Sequence, residues 1–232
     1  MKTIGVLGGM GPYASIEFYR KVLELSNPAS ESGHVRVVMD SNPHIPSRNR
    51  HFIYGEPSPV PGMVESITRL MRYPVDSVYI PCNSASFFIP EIRKEILGDI
   101  VDTIEVTARA VERKTPNGGE VLVLGAYIVR NKAPYQSLLN ELGFRYVTAS
   151  DKIQECTEQI IYSTKEGNVD SAKKFTELLL SLIEAQYKGI SAIVLACTEL
   201  CITFDEYAGR FNIPIIDSNH ELASHLVENA HV

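Results

Sequence analysis

The sequence of 232 residues contains no tryptophan, few cysteines and no long apolar run. None of its apolar stretches approaches the roughly 18–20 residues that a membrane span requires, so we expect no membrane segment. A strand pattern begins within three residues of Met1, which predicts that no signal peptide precedes the fold. These absences indicate a globular protein, which we expect to be cytoplasmic.

Basic blocks are also missing. The chain has 22 Lys and Arg residues against 28 Asp and Glu residues, and its formal net charge is −6. Nucleic-acid partners usually select a basic patch or stripe, so this balance argues against such a partner.

The cysteines lack the spacing of a disulfide framework or a zinc site. They stand at positions 82, 156, 197 and 201, without a Cys-x-x-Cys pair and without a secretory context. We therefore expect reduced thiols. Cys197 and Cys201 are four residues apart and suit one helix face, but the nearby histidines typical of zinc sites are absent, so we predict no metal.

Short apolar strands alternate with amphipathic helices along the whole chain. Strands are predicted at 3–7, 35–39, 78–82, 100–101, 121–125, 145–148, 192–196 and 213–217. This repeated β-α order specifies an α/β fold with parallel sheets rather than a sandwich or a bundle.

Three further predictions concern the connections between these strands. A helix that starts at Pro12 carries Ile16, Tyr19 and Leu23 on one face. Residues 40–50 predict a long polar loop, which in a compact domain is usually functional or disordered. A single helix is predicted over 131–142.

An internal duplication is visible in three landmarks. Gly8 corresponds to Gly125, Cys82 to Cys197 and Asp102 to Asp217, at offsets of 117, 115 and 115 residues. Because these three matches occur in the same order along the chain, they predict two similar parallel-sheet α/β units related by a pseudo-two-fold axis, with an active-site cleft between them. The predicted domains are 1–100 plus 213–232, which carries Cys82, and 101–212, which carries Cys197.

Each of these two cysteines follows an apolar strand and precedes small polar residues. Parallel sheets bind ligands at the carboxyl edge of their strands, and a helix N-terminus stabilises a thiolate. The alternative is that both cysteines are small buried side chains that only pack in the core, because free cysteine is among the most buried residue types. The duplicated setting favours function, with Cys82 and Cys197 facing one cleft and moving a proton between them.

Short motifs at and beyond these cysteines extend from the first strand to near the last. They are Gly8-Gly9-Met10-Gly11-Pro12, Asn42-Pro43-His44-Ile45-Pro46-Ser47-Arg48, Cys82-Asn83-Ser84-Ala85, Lys165-Glu166-Gly167-Asn168 and Cys197-Thr198-Glu199-Leu200. Together they resemble the motifs of the aspartate/glutamate racemase family, cofactor-independent enzymes that use two cysteines. The resemblance implies no cofactor, a small acidic amino acid as substrate and a homodimer, and Arg48 and Lys165 point to the aspartate racemase branch.

Departures from the family pattern bear on side-chain specificity. Ser47 stands where an acidic residue is usual, and Asn49 stands where a threonine is usual. A histidine commonly follows the first cysteine motif, but here the residue is Ser86, and Cys201 replaces an expected proline or aliphatic residue.

The implied mechanism uses two bases on opposite faces of the substrate. One of Cys82 and Cys197 is a thiolate base and the other a thiol acid, and they exchange roles with substrate handedness. Helix N-termini lower thiol pKa values, which makes this arrangement accessible near neutral pH. The substrate-binding residues that we expect are Met10, Arg48, Asn83, Ser84, Lys165, Thr198 and Glu199.

Each binding role has a simpler alternative. Asn83, Ser84 and Thr198 are expected to bind the α-carboxylate and stabilise the carbanion, or else only to cap helices. Arg48 offers a fork for a carboxylate, or is a solvated loop charge. The resemblance implies that Lys165 supplies a second cation near the acidic side chain of the substrate. For Glu199, a role as a helix cap is as well supported as a role in substrate binding.

Other functions remain open at this point. Gly9-x-Gly11-x-x-Ala14 after a strand, with Asp40 ending the next strand, fits a relaxed dinucleotide-binding fingerprint and indicates an NAD(P)-dependent oxidoreductase. That pattern does not explain the duplicated cysteines. An isomerase or decarboxylase with one nucleophilic cysteine, or a non-catalytic sensor of acidic ligands, is also compatible with the sequence.

Overall fold

The computed structural model describes residues 2–115, 117–207 and 209–230. The chain forms two compact units. Unit 1 comprises the described residues up to Val106 together with those from Asn219 onward, and unit 2 comprises Thr107–Ser218. The predicted domain divisions, after residues 100 and 212, each precede those of the structure by six residues.

The strands that the structure describes follow the predicted order. They are β1 (Thr3–Gly8), β2 (Arg36–Ser41), β3 (Ser77–Tyr79), β4 (Ile100–Val101), β5 (Gly119–Gly125), β6 (Phe144–Thr148), β7 (Ala192–Ala196) and β8 (Ile215–Asp217).

Helices separate these strands along the chain. The α-helices are α1 (Pro12–Ser26), α2 (Arg48–Tyr54), α3 (Val60–Leu70), α4 (Ile89–Glu95), α5 (Thr103–Lys114), α6 (Tyr127–Lys132), α7 (Pro134–Glu141), α8 (Asp151–Lys165), α9 (Val169–Gln186), α10 (Thr198–Phe204) and α11 (Ser218–Ala230). Short 3-10 helices cover Glu31–Gly33, Asn83–Phe88 and Asp205–Tyr207. In the part of the chain that the structure describes, no helix combines the length and apolar character needed to cross a membrane.

Each unit contains one parallel sheet, and the two sheets share one connection plan. Their strand orders are β2-β1-β3-β4 in unit 1 and β6-β5-β7-β8 in unit 2. In both, the first strand along the chain pairs with the second and the third, and the fourth strand pairs with the third. The prediction of two similar parallel-sheet α/β units is therefore confirmed, whereas the pseudo-two-fold axis and the cleft remain predictions.

The core of unit 1 joins β1 to α1 and α11. Ile4 and Val6 of β1 pack with Phe18 and Val22 of α1 and with Leu226 of α11. The buried face of α1 thus repeats at intervals of four residues, as expected for an amphipathic helix.

The predicted apolar face of α1 is wrong. Ile16 is 67% exposed and Tyr19 is 39% exposed, whereas Ala14 is buried together with Phe18 and Val22. Large apolar side chains occur on both faces of this helix, so the sequence pattern alone does not identify the face that meets the sheet.

Two predicted connections also differ from the structure. The polar loop is shorter than 40–50, because β2 continues through Ser41 and α2 begins at Arg48. The predicted helix over 131–142 is interrupted at Ala133, which has φ of 44° and precedes Pro134, the first residue of α7. Proline suits a helix start, where its missing N–H group is not needed.

Candidate active site

Cys82 stands between the end of β3 and the start of a helix. The backbone is still extended at Cys82 (φ −159°, ψ 105°), and this residue is the N-cap of the 3-10 helix Asn83–Phe88. Its side chain lies in a largely closed setting, because Cys82 is only 7% exposed. Asn83 is buried and Ser84 is half-buried, so both predicted binding residues lie in the first turn beside the thiol.

Cys197 has the same local geometry in unit 2. It follows β7 in an extended conformation (φ −152°, ψ 129°) and is the N-cap of α10. Its carbonyl accepts a hydrogen bond from the N–H group of Leu200 at 3.0 Å, and the residue is 9% exposed. Thr198 and Glu199 follow it and are both buried.

A carboxylate lies directly beside the Cys197 thiol. Cys197 Sγ donates a hydrogen bond to Glu199 Oε2 at 3.0 Å, and Thr198 Oγ1 donates to the same oxygen at 3.2 Å. Lys165 Nζ, at the end of α8, lies 3.8 Å from Glu199 Oε1. The structure thus brings the predicted residues Lys165, Cys197, Thr198 and Glu199 together in unit 2.

The electrostatic setting of Cys197 differs from the one expected. Burial raises the pKa of the Cys197 thiol well above its ordinary value, the negative charge of Glu199 raises it further, and Lys165 opposes both. The backbone N–H of Glu199 in the first turn of α10 does lower this pKa, as expected of a helix N-terminus, but burial and the adjacent carboxylate have the larger effect. The expectation of a net lowered pKa is therefore wrong for Cys197.

In unit 1, Arg48 joins two loops. Its buried guanidinium donates from Nη2 to the carbonyl of Met10 at 2.9 Å, and from Nη1 to the carbonyls of Pro46 at 3.1 Å and Ile45 at 3.5 Å. Nε is also buried and has no hydrogen-bond partner within the described part of the chain. Met10 and Arg48, both predicted site residues, are thus in direct contact, and the reading of Arg48 as a solvated loop charge is wrong.

Gly9 lets the loop after β1 approach the chain at Asn42. It has φ of +86°, and a Cβ atom there would lie 2.3 Å from the backbone nitrogen of Asn42, which donates a hydrogen bond to the carbonyl of Gly8 at 3.3 Å. The glycine pattern that also fits a dinucleotide fingerprint therefore has a packing explanation within unit 1.

Residues that depart from the family pattern have structural contacts. Ser47 is the N-cap of α2 and accepts a hydrogen bond from the backbone N–H of Arg50 at 3.3 Å. Ser86 hydrogen-bonds Asp102, whose carboxyl pKa is raised, mainly by burial. In the sequence, Asp102 stands out only as a landmark of the internal repeat. Its position directly after a strand is the feature that indicates a place near the 3-10 helix that follows Cys82.

The remaining cysteines are buried in unit 2. Cys201 Sγ lies one helical turn after Cys197 and donates to its carbonyl at 3.4 Å. Burial raises the pKa of the Cys156 thiol on α8. Among the residues that the structure describes, His, Cys, Asp and Glu side chains form no group of three suited to a metal ion.

Comparisons with known proteins identify the family of the chain. The family model described as Asp/Glu/Hydantoin racemase matches residues 7–226. The broad specificity amino-acid racemase RacX of Bacillus subtilis (strain 168) is 26% identical over 228 residues, covering 97% of this chain and 96% of RacX.

Solved structures show the same fold. The aspartate racemase of Picrophilus torridus superposes with a TM-score of 0.87 at 26% identity, over 100% of this chain and 95% of that one. An aspartate racemase homologue from Pyrococcus horikoshii OT3 gives a TM-score of 0.76 at 21% identity, over the full length of both chains. With a family match that covers nearly the whole sequence, the protein belongs to the Asp/Glu/Hydantoin racemase family and is an isomerase, an amino-acid racemase.

Proposed function

We propose that this racemase interconverts L- and D-aspartate, with glutamate as a further substrate, by moving the Cα proton between Cys82 and Cys197 without a cofactor. The observation that carries the proposal is the equivalent placement of the two thiols. Each is the N-cap residue that follows the third strand of a sheet, and the two sheets share one strand order. The proposal requires that both sulfur atoms flank one bound substrate.

The reaction is a two-base proton transfer. A thiolate removes the Cα proton from one face, which leaves a carbanion, and the opposite thiol gives its proton to the other face. Cys82 and Cys197 exchange roles when the other enantiomer reacts. The N–H groups at Asn83, Ser84 and Thr198 bind the α-carboxylate and stabilise the charge that develops on it.

The preference for an acidic side chain rests on two cations. Arg48 has five N–H donors, and its three contacts with backbone carbonyls leave two for a carboxylate. Lys165 and Glu199 form the ion pair that borders Cys197, and Met10 fixes Arg48 through its carbonyl. The similarity to the Picrophilus torridus aspartate racemase supports aspartate as the substrate.

A broader substrate range is the second candidate. Arg48 already binds backbone carbonyls and Lys165 already faces Glu199, so both cations have partners within their own unit. RacX, which has a similar sequence over 97% of this chain, is named a broad specificity amino-acid racemase. On this reading, neutral amino acids react as well.

Proton exchange in deuterium oxide tests the proposal. Each enantiomer of aspartate, glutamate and alanine is incubated with the protein, without added cofactor, and Cα exchange and inversion are followed by NMR. We expect exchange with inversion for aspartate, and its loss in Cys82→Ala and Cys197→Ala. Cys156→Ala removes a buried thiol outside the proposed site and is the matched control.

Other outcomes identify the alternatives. If the folded protein exchanges none of these amino acids, the substrate assignment is wrong. Exchange of alanine as fast as aspartate favours the broad range. Unequal losses in the two cysteine variants favour a reaction with one nucleophilic cysteine, and binding without exchange favours a sensor. The homodimer and the cytoplasmic location stay part of the proposal, and light scattering of the purified protein tests the former.

A further inference from the structure

Glu199 is placed to control the protonation state of one catalytic thiol. Its carboxylate is buried, and Oε2 accepts hydrogen bonds from both Cys197 Sγ at 3.0 Å and Thr198 Oγ1 at 3.2 Å. A hydrogen bond from a thiol to a carboxylate exists only while the sulfur keeps its proton. The contact therefore stabilises the S–H form and opposes the thiolate.

From this contact we propose that Glu199 is a positioning residue that keeps Cys197 protonated in the resting enzyme, so that Cys197 begins as the acid of the pair. The proposal rests on the two-cysteine reaction proposed above and assigns unequal resting roles to its members. Cys82 is then the sulfur that removes the first proton.

Among the residues that the structure describes, two charged groups act on the Cys197 sulfur. Glu199, on its own helix, opposes the thiolate, and Lys165, at the end of the packed helix α8, favours it. Lys165 Nζ lies 3.8 Å from Glu199 Oε1, whereas the Cys197 thiol contacts Oε2. Lys165 therefore neutralises part of the carboxylate's negative charge from the side away from the thiol. On the neighbouring strand β8, Asp217 is in register with Leu195 and not with Cys197. Glu158 of α8 interacts with Lys165.

The proton balance gives the reaction a resting direction. The Cα–H bond breaks as its proton passes to the Cys82 thiolate, and the Cys197 S–H bond breaks as its proton passes to the opposite face of Cα. The product state then holds a Cys197 thiolate 3.0 Å from a carboxylate. Because like charges repel at this distance, this state is disfavoured. The resting state returns when Cys197 takes a proton from solvent while Cys82 releases one to solvent, or when Cys197 removes the Cα proton of the other enantiomer while Cys82 gives its proton to the opposite face of that substrate.

This asymmetry has a kinetic signature. Two enantiomers have equal free energy in water, so the equilibrium constant between them is one. The kcat/KM values for the two directions must therefore be equal in every variant of the enzyme. A bias between the two protonation states therefore appears as unequal kcat and KM values that compensate each other. Loss of Glu199 should change the ratio of the two kcat values and leave the ratio of kcat/KM values at one.

Direct titration of the thiol provides the test. The protein is labelled at cysteine Cβ, the Cys197 signal is assigned with Cys197→Ser, and its titration is followed by NMR in wild type and Glu199→Gln. We expect the Cys197 midpoint to fall by about one pH unit or more in Glu199→Gln, as removal of an adjacent like charge requires. Glu166→Gln removes an exposed charge next to Lys165 and should leave the midpoint unchanged.

Glu199→Asp keeps the charge on a side chain that is one methylene shorter, and it should restore at least part of the raised midpoint. An unchanged or higher midpoint in folded Glu199→Gln would overturn the inference, as would an unchanged kcat ratio. The titration of the Cys197 thiol does not depend on turnover. Absence of Cα exchange in wild type would therefore contradict the proposed function, whereas the titration alone would still show whether Glu199 raises the pKa of the thiol.

Discussion

Thr103 holds the segment between β3 and Cys82 in place, because its hydroxyl donates a hydrogen bond to the carbonyl of Ile80 at 2.7 Å. Ser218 makes the equivalent contact in unit 2, with the carbonyl of Leu195, also at 2.7 Å. Each accepting carbonyl lies two residues before a proposed catalytic cysteine, and both contacts are buried. The duplication therefore includes the hydroxyl that fixes each strand end as well as the thiol.

Removal of either hydroxyl should weaken catalysis through the position of the thiol. Thr103→Val and Ser218→Ala each delete a buried hydrogen bond, with an expected cost of about 1 kcal/mol in the free energy of unfolding. We expect kcat to fall as well, because catalysis is sensitive to small displacements of reacting groups. Urea unfolding and steady-state kinetics measure the two effects.

Thr103→Ser and Ser218→Thr keep the hydroxyl and are the matched controls for this pair. They should retain both stability and kcat. If Thr103→Val and Ser218→Ala lose stability with kcat unchanged, the hydroxyls only hold the fold and do not position the sulfur atoms.

Gly9→Ala should destabilise the protein more than an ordinary change at positive φ. A Cβ at Gly9 meets the backbone of Asn42 at 2.3 Å, which cannot move without displacing the loop after β2. Gly143 has nearly the same φ, +84° against +86°, but a Cβ there meets no atom of the described residues within 4 Å. Gly143→Ala should cost about 1–2 kcal/mol, the strain of a left-handed residue alone. Urea unfolding of both variants compares the costs, and equal values would show that the close approach at Gly9 contributes nothing.

Arg48→Lys keeps the charge and loses the planar fork. Because a lysine ammonium cannot reproduce charge-assisted contacts with several carbonyls and a carboxylate, kcat/KM for aspartate should fall by about 10–100-fold. The loss should be smaller for alanine, which has no side-chain carboxylate. Arg50→Lys, an exposed arginine of the same helix that pairs with Glu56, is the matched control. Equal losses for aspartate and alanine would limit Arg48 to joining the two loops.

Glu158 should make the folded protein less stable as pH rises. Burial raises its carboxyl pKa above the ordinary 4.5, despite hydrogen bonds from Gln154 and Tyr127. The folded state therefore binds this proton more tightly than the unfolded state, and stability falls as pH rises from about the ordinary value through the raised one. Glu158→Gln should raise Tm by about 2–4 °C at neutral pH and lose that advantage in acid. Thermal unfolding across this pH range is the measurement, and a constant difference would contradict the assignment.

The order of strands and the place of both thiols follow from local patterns. Apolar runs such as 192–196 are buried strands because parallel sheets are covered on both faces, and a polar residue after the run marks the strand end. The same logic predicted where Cys82 and Cys197 begin their helices. Repetition of these patterns in one order then predicted the matching sheets.

Side-chain partners were not predictable in the same way. The contact of Glu199 with Cys197 depends on the rotamers of buried side chains, and the sequence shows only that they are two residues apart. Arg48 contacts Met10 across 38 residues, a distance that no local pattern encodes. The prediction of a lowered pKa for the Cys197 thiol was wrong for a related reason. The sequence shows that this residue precedes a helix, but it does not show how deeply the thiol is buried.

The setting of Cys197 also bears on how long the enzyme remains usable in air. Peroxide oxidises thiolates far faster than thiols, and access by the oxidant adds a second requirement. A sulfur held as S–H beneath its neighbours meets neither condition while the enzyme is idle. If the proposed two-cysteine mechanism holds, oxidative damage to this cysteine is confined to the part of each turnover in which it has lost its proton.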